Sequence, residues 1–332
     1  MSKGWRRILA FEMLAIAGML TISLDMHAHK RVEMLGGVNI WGYRGPVAHQ
    51  RQPNEIRVAI IGGTRAFGWG EPAAALASEI RRLIMLSTDQ PGHTLRPVVV
   101  VNLGRLGAGP DSYPSTIEHF SYLQPDYLCL YDDLGVRGAS TTDFTSGVFD
   151  LTGYAPALPL VLREKGMVWR LGDVNRGYAP AASQPGHSIS ILGRAAGSTL
   201  QTVADGARAA DLLMARMRQP ANRDAGAHDD DAVGYAGEMM TALNVAHRHA
   251  RGVMVVASPS DTPEQLRNRR ALKLRLDGEI GTARWLRFVD LDEEAALHGD
   301  SLRLDGWNYG GAGLSLVAKR IAAAVLSLIA EP

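Results

Sequence analysis

Short runs of apolar and β-branched residues alternate along the chain with longer stretches whose apolar positions recur every three or four residues. Arg57 to Ile61 (RVAII), Pro97 to Leu103 (PVVVVNL) and Asp126 to Tyr131 are the first three runs. Runs of this kind suit strands buried on both faces. Between them, Ala73 to Leu86 sets Ala77, Ile80, Leu83 and Ile84 on one helical face, and Ser115 to Leu123 predicts a short helix. The pattern resumes after residue 230 with a helix over 233–250, a strand Val253 to Ala257, a helix Glu264 to Asp277, a strand Trp285 to Leu291 and a closing helix Ala312 to Leu328. The alternation predicts an α/β fold, a doubly wound and mostly parallel sheet flanked by helices.

Two regions break the pattern. Residues 137–230 read as an insertion. Within it, Tyr154 to Leu162 (YAPALPLVL) carries two prolines and reads as a packed lid or docking loop rather than a strand. Thr202 to Met217 predicts a helix, and Gln219 to Asp231 has the composition of a mobile segment. At the other end, Lys3, Arg6 and Arg7 precede Ile8 to Leu24, an apolar run interrupted chiefly by Glu12. A bilayer span needs roughly 17–25 such residues, and no small-x-small cleavage site follows the run. The expected organisation is a signal-anchor helix over 1–27, a juxtamembrane connector over 28–55 and an α/β domain over 56–330. The positive charge ahead of the span places the globular part outside the cytoplasm.

Composition narrows the classes. Hydrophobic residues make up 46% and charged residues 21% of a chain of net charge +1, which is globular and offers nucleic acid no basic surface. The single cysteine, Cys129, excludes an internal disulfide and a thiolate metal site. Asp229, Asp230 and Asp231 form an acidic run whose Gly/Ala-rich setting reads as solvated charge, and neither a metal nor a cofactor is expected.

The chemistry centres on GGTRAFGWG, residues 62–70, directly after the first strand. A strand that ends in glycines and turns into a helix suits phosphate binding at a helix N-terminus or attack by a Ser or Thr hydroxyl on a tight turn. A dinucleotide site of the short-chain dehydrogenase kind also needs an acidic residue after the second strand, where this chain has Asn102-Leu103-Gly104. It needs a Tyr four residues before a Lys as well, and none of Lys30, Lys165, Lys273 and Lys319 has one.

Four segments in order, GGTRAFGWG (62–70), NLGRLGAGP (102–110), PDYLCLYDDLG (125–135) and LDGWNYGGAG (304–313), resemble the blocks of the SGNH/GDSL hydrolase family, in particular its membrane-anchored bacterial members. That resemblance implies a nucleophile at Thr64, an orienting acid at Asp305 and a base position occupied by Asn308. It also implies oxyanion donors at Gly107 and at Gly135, with Asp133 taking the latter place if the alignment shifts. An amide is not basic enough to take a proton from a hydroxyl at neutral pH, and Gly135 brings no side-chain donor. The resemblance therefore implies an impaired catalyst at the inner membrane, its domain extracytoplasmic. Its ligand would be an O-acylated glycan, or its partner a protein of envelope or exopolysaccharide metabolism. Trp69, Trp307 and Tyr309 flank the pocket and suit stacking on a sugar. The alternative is an active esterase or deacetylase using Thr64, with His298 or His187 as a substitute base. A bland reading of Thr64 is the N-cap of the helix that follows.

Overall fold

The computed structural model describes residues 3–34, 38–68, 76–88, 96–105, 108–132, 134, 147–152, 154, 156–172, 190–218, 232–260, 262–280, 283–294, 297, 302, 309 and 311–330. Its chain divides into two compact units. One comprises Met1–Met34, Val38–Gly42 and Phe144–Arg223; the other comprises Leu35–Gly37, Tyr43–Asp143 and Asp224–Pro332.

The second unit is the α/β part. Its strands are β1 (Ile56–Gly62), β2 (Val98–Asn102), β3 (Tyr127–Asp132), β4 (Gly252–Ala257) and β5 (Leu286–Asp290). They pair in parallel throughout, in the order β2-β1-β3-β4-β5. This is the doubly wound order that the alternating pattern predicts. β1 and β4 are buried at every position, which explains why their sequences are continuous apolar runs rather than alternations.

One face of the sheet (Ile56, Val58, Ile60, Cys129, Tyr131, Met254 and Val256) packs in a single core with Leu76, Ile80 and Ile84 of α3 (Leu76–Thr88) and with Val317, Ile321 and Val325 of α10 (Gly311–Ala330). α4 (Tyr113–His119), α8 (Ala232–His249) and α9 (Pro263–Ile280) cover the other face. α10 is long and apolar enough to cross a membrane, with mean hydropathy 1.7, but its Val317, Ala318, Ile321, Ala322, Val325 and Leu328 are buried, so it is a core helix.

The other unit is helical: α1 (Lys3–Met34), α5 (Gly147–Thr152), α6 (Leu158–Leu171) and α7 (Ile191–Arg218). Every described side chain from Arg7 to Leu24 of α1 is exposed, and burial begins at Asp25, Ala28 and His29. A window over Arg7–Lys30 has mean hydropathy 1.8, enough for a membrane span or a signal sequence. The helix does not stop near residue 27 but runs on to Met34. Its continuation has a specific job. Asp25 accepts hydrogen bonds from the Tyr154 hydroxyl, from Ala157 N at 3.3 Å and from Leu158 N at 2.5 Å. Ala157 is the N-cap of α6 and has no capping side chain of its own, so a carboxyl from another helix supplies the acceptor.

This corrects the lid reading of Tyr154 to Leu162. The segment enters α6, with Pro159 in the first turn, where a missing N–H costs nothing. α6 and α7 then meet at glycines: a Cβ on Gly166 would lie 2.7 Å from Gly197 O, and one on Gly197 would lie 2.6 Å from Gly166 O. The Gln219–Asp231 segment lies outside the described residues.

Candidate active site

β1 ends at Gly62 and the chain turns at once into the four-residue helix α2 (Thr64–Phe67). This short helix begins at Thr64 itself and precedes α3, the helix expected over Ala73 to Leu86. Its N-cap is Gly63, and no side chain caps it. Thr64 is the first helical residue, half-buried, at the carboxyl end of a central strand. The N-cap role suggested by its hydroxyl belongs instead to Gly63.

The tight turn has a steric basis. A Cβ on Gly62 would meet Tyr131 O at 1.9 Å and Ala66 Cβ at 2.6 Å, so only glycine lets α2 fold back over the end of β3. Gly104, in the second block, lies against the same helix, with a Cβ there falling 2.5 Å from Phe67 N. The ladder between the two blocks continues past the strands, through Leu103 N to Ile60 O at 2.7 Å and Arg105 N to Gly62 O at 2.9 Å.

Two side chains that the sequence did not single out for this role hold α2 in place. Asn102, 2% exposed, donates from Nδ2 to Ala66 O (2.9 Å) and Phe67 O (3.3 Å), and its Oδ1 accepts from Gly104 N at 2.8 Å. Arg44 donates to Phe67 O and, at 2.8 Å, to Gly68 O, while its guanidinium lies over the Phe67 ring. Burial pulls the Arg44 guanidinium down to about 10, a sign of how dry this clamp is. Together they satisfy the C-terminal carbonyls of a helix too short to satisfy its own. The Asn at the end of β2, where a dinucleotide site would need an acid, thus has a structural use.

β3 ends in a second buried cluster. Asp132, 1% exposed, accepts from the Tyr113 hydroxyl at 2.8 Å, the Tyr235 hydroxyl and Leu134 N at 2.6 Å. Leu134 has a left-handed backbone (φ 56°), and its carbonyl accepts from Asn268 Nδ2 at 3.1 Å. The start of the third block's loop is therefore pinned from α4, α8 and α9, and a non-glycine residue is held where it costs about 1–3 kcal/mol.

The last block reaches the first. Tyr309 stands over the Arg65 guanidinium, 5.7 Å from ring centre to Cζ, and Arg65 also donates to Pro259 O at 3.4 Å. Arg65, Gly68, Tyr131, Tyr309, Leu314 and Val317 line a recess on this side of the turn. Tyr309, from the last block, thus reaches the side chain of the residue that follows Thr64. Of the positions named from the sequence, Thr64 and Tyr309 are described. Trp69, Gly107, Asp133, Gly135, His187, His298, Asp305, Trp307 and Asn308, with the Asp229–Asp231 run, lie outside the described residues. Among the described residues, no group of three or more His, Cys, Asp or Glu side chains is placed to hold a metal ion.

His119, at the end of α4, is held to about 4 by burial and, secondarily, by Arg105. Its folded-state affinity for a proton lies below the ordinary value near 6.5, so the unfolded chain binds the proton first as pH falls. The stability that neutral His119 contributes is complete above about pH 6.5 and is lost as pH falls to about 4. We expect the urea midpoint of His119→Gln to decline less over that range, with about 1–3 kcal/mol of the parent's loss removed after allowing for partial exposure. Parallel curves for the two proteins would refute this.

No family model and no curated protein matches the sequence. Solved structures that resemble it include a family 3 carbohydrate esterase from Clostridium thermocellum (11% identity, TM-score 0.44, covering 83% of this chain and 98% of that one). Others are a lipolytic G-D-S-L family protein from Veillonella parvula (10%, 0.42, 82% and 98%) and an acetylxylan esterase from Geobacillus stearothermophilus (12%, 0.40, 82% and 94%). At these identities and TM-scores the likeness bears on no residue's role. The sheet order, with the first three blocks at the carboxyl ends of β1, β2 and β3, gives the α/β unit the fold of a doubly wound parallel sheet whose strand ends carry the candidate site.

Proposed function

We propose that this chain is a membrane-anchored, extracytoplasmic SGNH/GDSL-like protein that binds an O-acylated saccharide, or a partner carrying one, at the turn around Thr64 with little or no turnover. The observation that supports this reading is Tyr309 lying over the guanidinium of Arg65, the residue after Thr64; the position that the resemblance gives to the base, Asn308, is an amide. Losing a triad member leaves a serine hydrolase only about 10³–10⁴ over water, and each missing oxyanion donor costs about 10²–10³ more. Asp305 would orient an amide, Gly107 would retain one backbone donor, and Gly135 would offer no side chain. Trp69, Trp307 and Tyr309 would provide the stacking surface. α1 would be the anchor, with Lys3, Arg6 and Arg7 on the cytoplasmic side of an inner membrane.

The active-esterase reading has one observation in its favour: Thr64 is the first residue of α2 at a strand–helix turn rather than its N-cap. The full chain in nanodiscs distinguishes the two. Acetate release from acetylated xylooligosaccharides is expected to be equally negligible in the parent and in Thr64→Ala, with oligosaccharide binding by calorimetry present in both. Turnover abolished by Thr64→Ala would overturn the impaired reading, and absence of binding would overturn the ligand class. Thr64→Ser combined with Asn308→His and Gly135→Asn is expected to gain detectable hydrolysis.

A further inference from the structure

We infer that α7 is an interfacial helix that lays a second apolar stripe on the lipid surface beside the anchor, so that the helical unit is held to the membrane at two places. This rests on the reading of α1 as a membrane anchor.

The stripe follows from the arrangement of residues around α7. At about 100° per residue, Gly197, Gln201, Ala204 and Asp211 fall on one side of the helix. That side is the packed one. Gly197 and Gln201 lie against Gly166, Ala204 is 2% exposed, and the Asp211 carboxyl accepts from Val148 N of α5 at 2.9 Å. About two-fifths of a turn away run Leu192, Val203, Leu213, Met214 and Met217, with Thr199, Gly206 and Ala210 between them. Leu192 (82%), Val203 (54%), Leu213 (59%) and Met217 (79%) are strongly exposed. Arg194, Ser198 and Asp205 occupy the remaining side and are also exposed. Among the described residues the helix therefore has a packed face, an exposed apolar face and a polar face. A helix committed only to its unit needs just one apolar face. An apolar stripe backed by a charged face is the pattern of a helix lying in a membrane interface.

The location of the stripe selects its occupant. Asp25 is where α1 passes from a stretch exposed on all sides to a buried docking site, and its carboxyl receives the first N–H groups of α6. If α1 spans a bilayer over its exposed length, Asp25 lies just past the boundary and the first turn of α6 sits there with it. α6 and α7 cross at Gly166 and Gly197, and Arg163 Nε lies 4.0 Å from Asp205 Oδ1. The two pairs set the helices antiparallel, which brings the part of α7 from Val203 onward level with the start of α6. The densest part of the stripe is thus beside the point where the anchor leaves the apolar phase.

The test uses the full chain in vesicles of phosphatidylethanolamine and phosphatidylglycerol, with one nitroxide at a time on Leu14→Cys, Ser198→Cys, Val203→Cys and Met217→Cys. Cys129 is fully buried and stays unlabelled. Collisions with oxygen, which partitions into lipid, are compared with collisions with a water-soluble nickel chelate. Positions 14, 203 and 217 are expected to favour oxygen, by several-fold over position 198. If 203 and 217 behave like 198 while 14 favours oxygen, the anchor stands and the second contact is refuted. If 14 favours the nickel chelate, the anchor reading itself fails and the inference falls with it. Spin–spin broadening at 203 or 217 that disappears on dilution with unlabelled chain would mean that a second copy covers the stripe, which also overturns the lipid contact.

Discussion

Asp132→Ala is expected to lower the thermal midpoint of the α/β unit by roughly 6–20 °C. Removing the carboxyl leaves two buried tyrosine hydroxyls, Tyr113 and Tyr235, and Leu134 N without the acceptor they share. A buried polar group whose partner is deleted costs about 1–3 kcal/mol, and the three losses, sharing one site, are expected to sum to about 3–5 kcal/mol rather than to add fully. For a unit of this size, each kcal/mol moves the midpoint by about 2–4 °C. The signature is coupling. Tyr113→Phe and Tyr235→Phe should each destabilise the parent by about 1 kcal/mol and change the Asp132→Ala background far less. A loss below about 1 kcal/mol, or tyrosine effects that persist unchanged without Asp132, would show that the cluster does not hold the end of β3.

The second large effect is expected at Gly62. A methyl group there would sit 1.9 Å from a main-chain oxygen of β3, which is not a flexible neighbour that can step aside. Gly62→Ala should therefore cost about 3 kcal/mol or more by urea denaturation, at the upper end of what overpacking does. It should also displace Thr64, since β1 must separate from β3 or α2 must lift. Gly237→Ala is the matched control. It is helical, with nothing within 4 Å of the added methyl, and is expected to gain about 0.5–1 kcal/mol. If the two substitutions have similar effects, the close approach at Gly62 is not what shapes the turn.

The sheet was legible because its central strands are buried on both faces, so a plain apolar run such as RVAII or LCLY needs no partner information to be recognised. The first three blocks were legible for a related reason: each ends a strand, and Gly62 and Gly104 are required by close contacts. What could not be read was whatever depends on partners distant in sequence. YDDLG showed two acids, and it was the adjacent positions 133 and 135 that drew attention. Asp132 acquires its role only when Tyr113 and Tyr235 arrive from two other helices. Arg44 and Asn102 look unremarkable until α2 is folded between them. Tyr154 to Leu162 was misread because its helix start is capped by a residue more than a hundred positions earlier.

That remote cap bears on how the protein should be produced. A truncation chosen from hydropathy alone would begin near residue 30, discarding the greasy stretch and, with it, Asp25. The expressed fragment would keep α6 but lose the acceptor for its first turn, together with the Tyr154 and His29 contacts that seat it. Poor yield or proteolysis within 154–171 would then reflect a missing carboxylate rather than an unsuitable domain boundary. Replacing the apolar residues of α1 up to Leu24 with polar helix formers, while keeping Asp25, Ala28 and His29, is the more promising route to a soluble form.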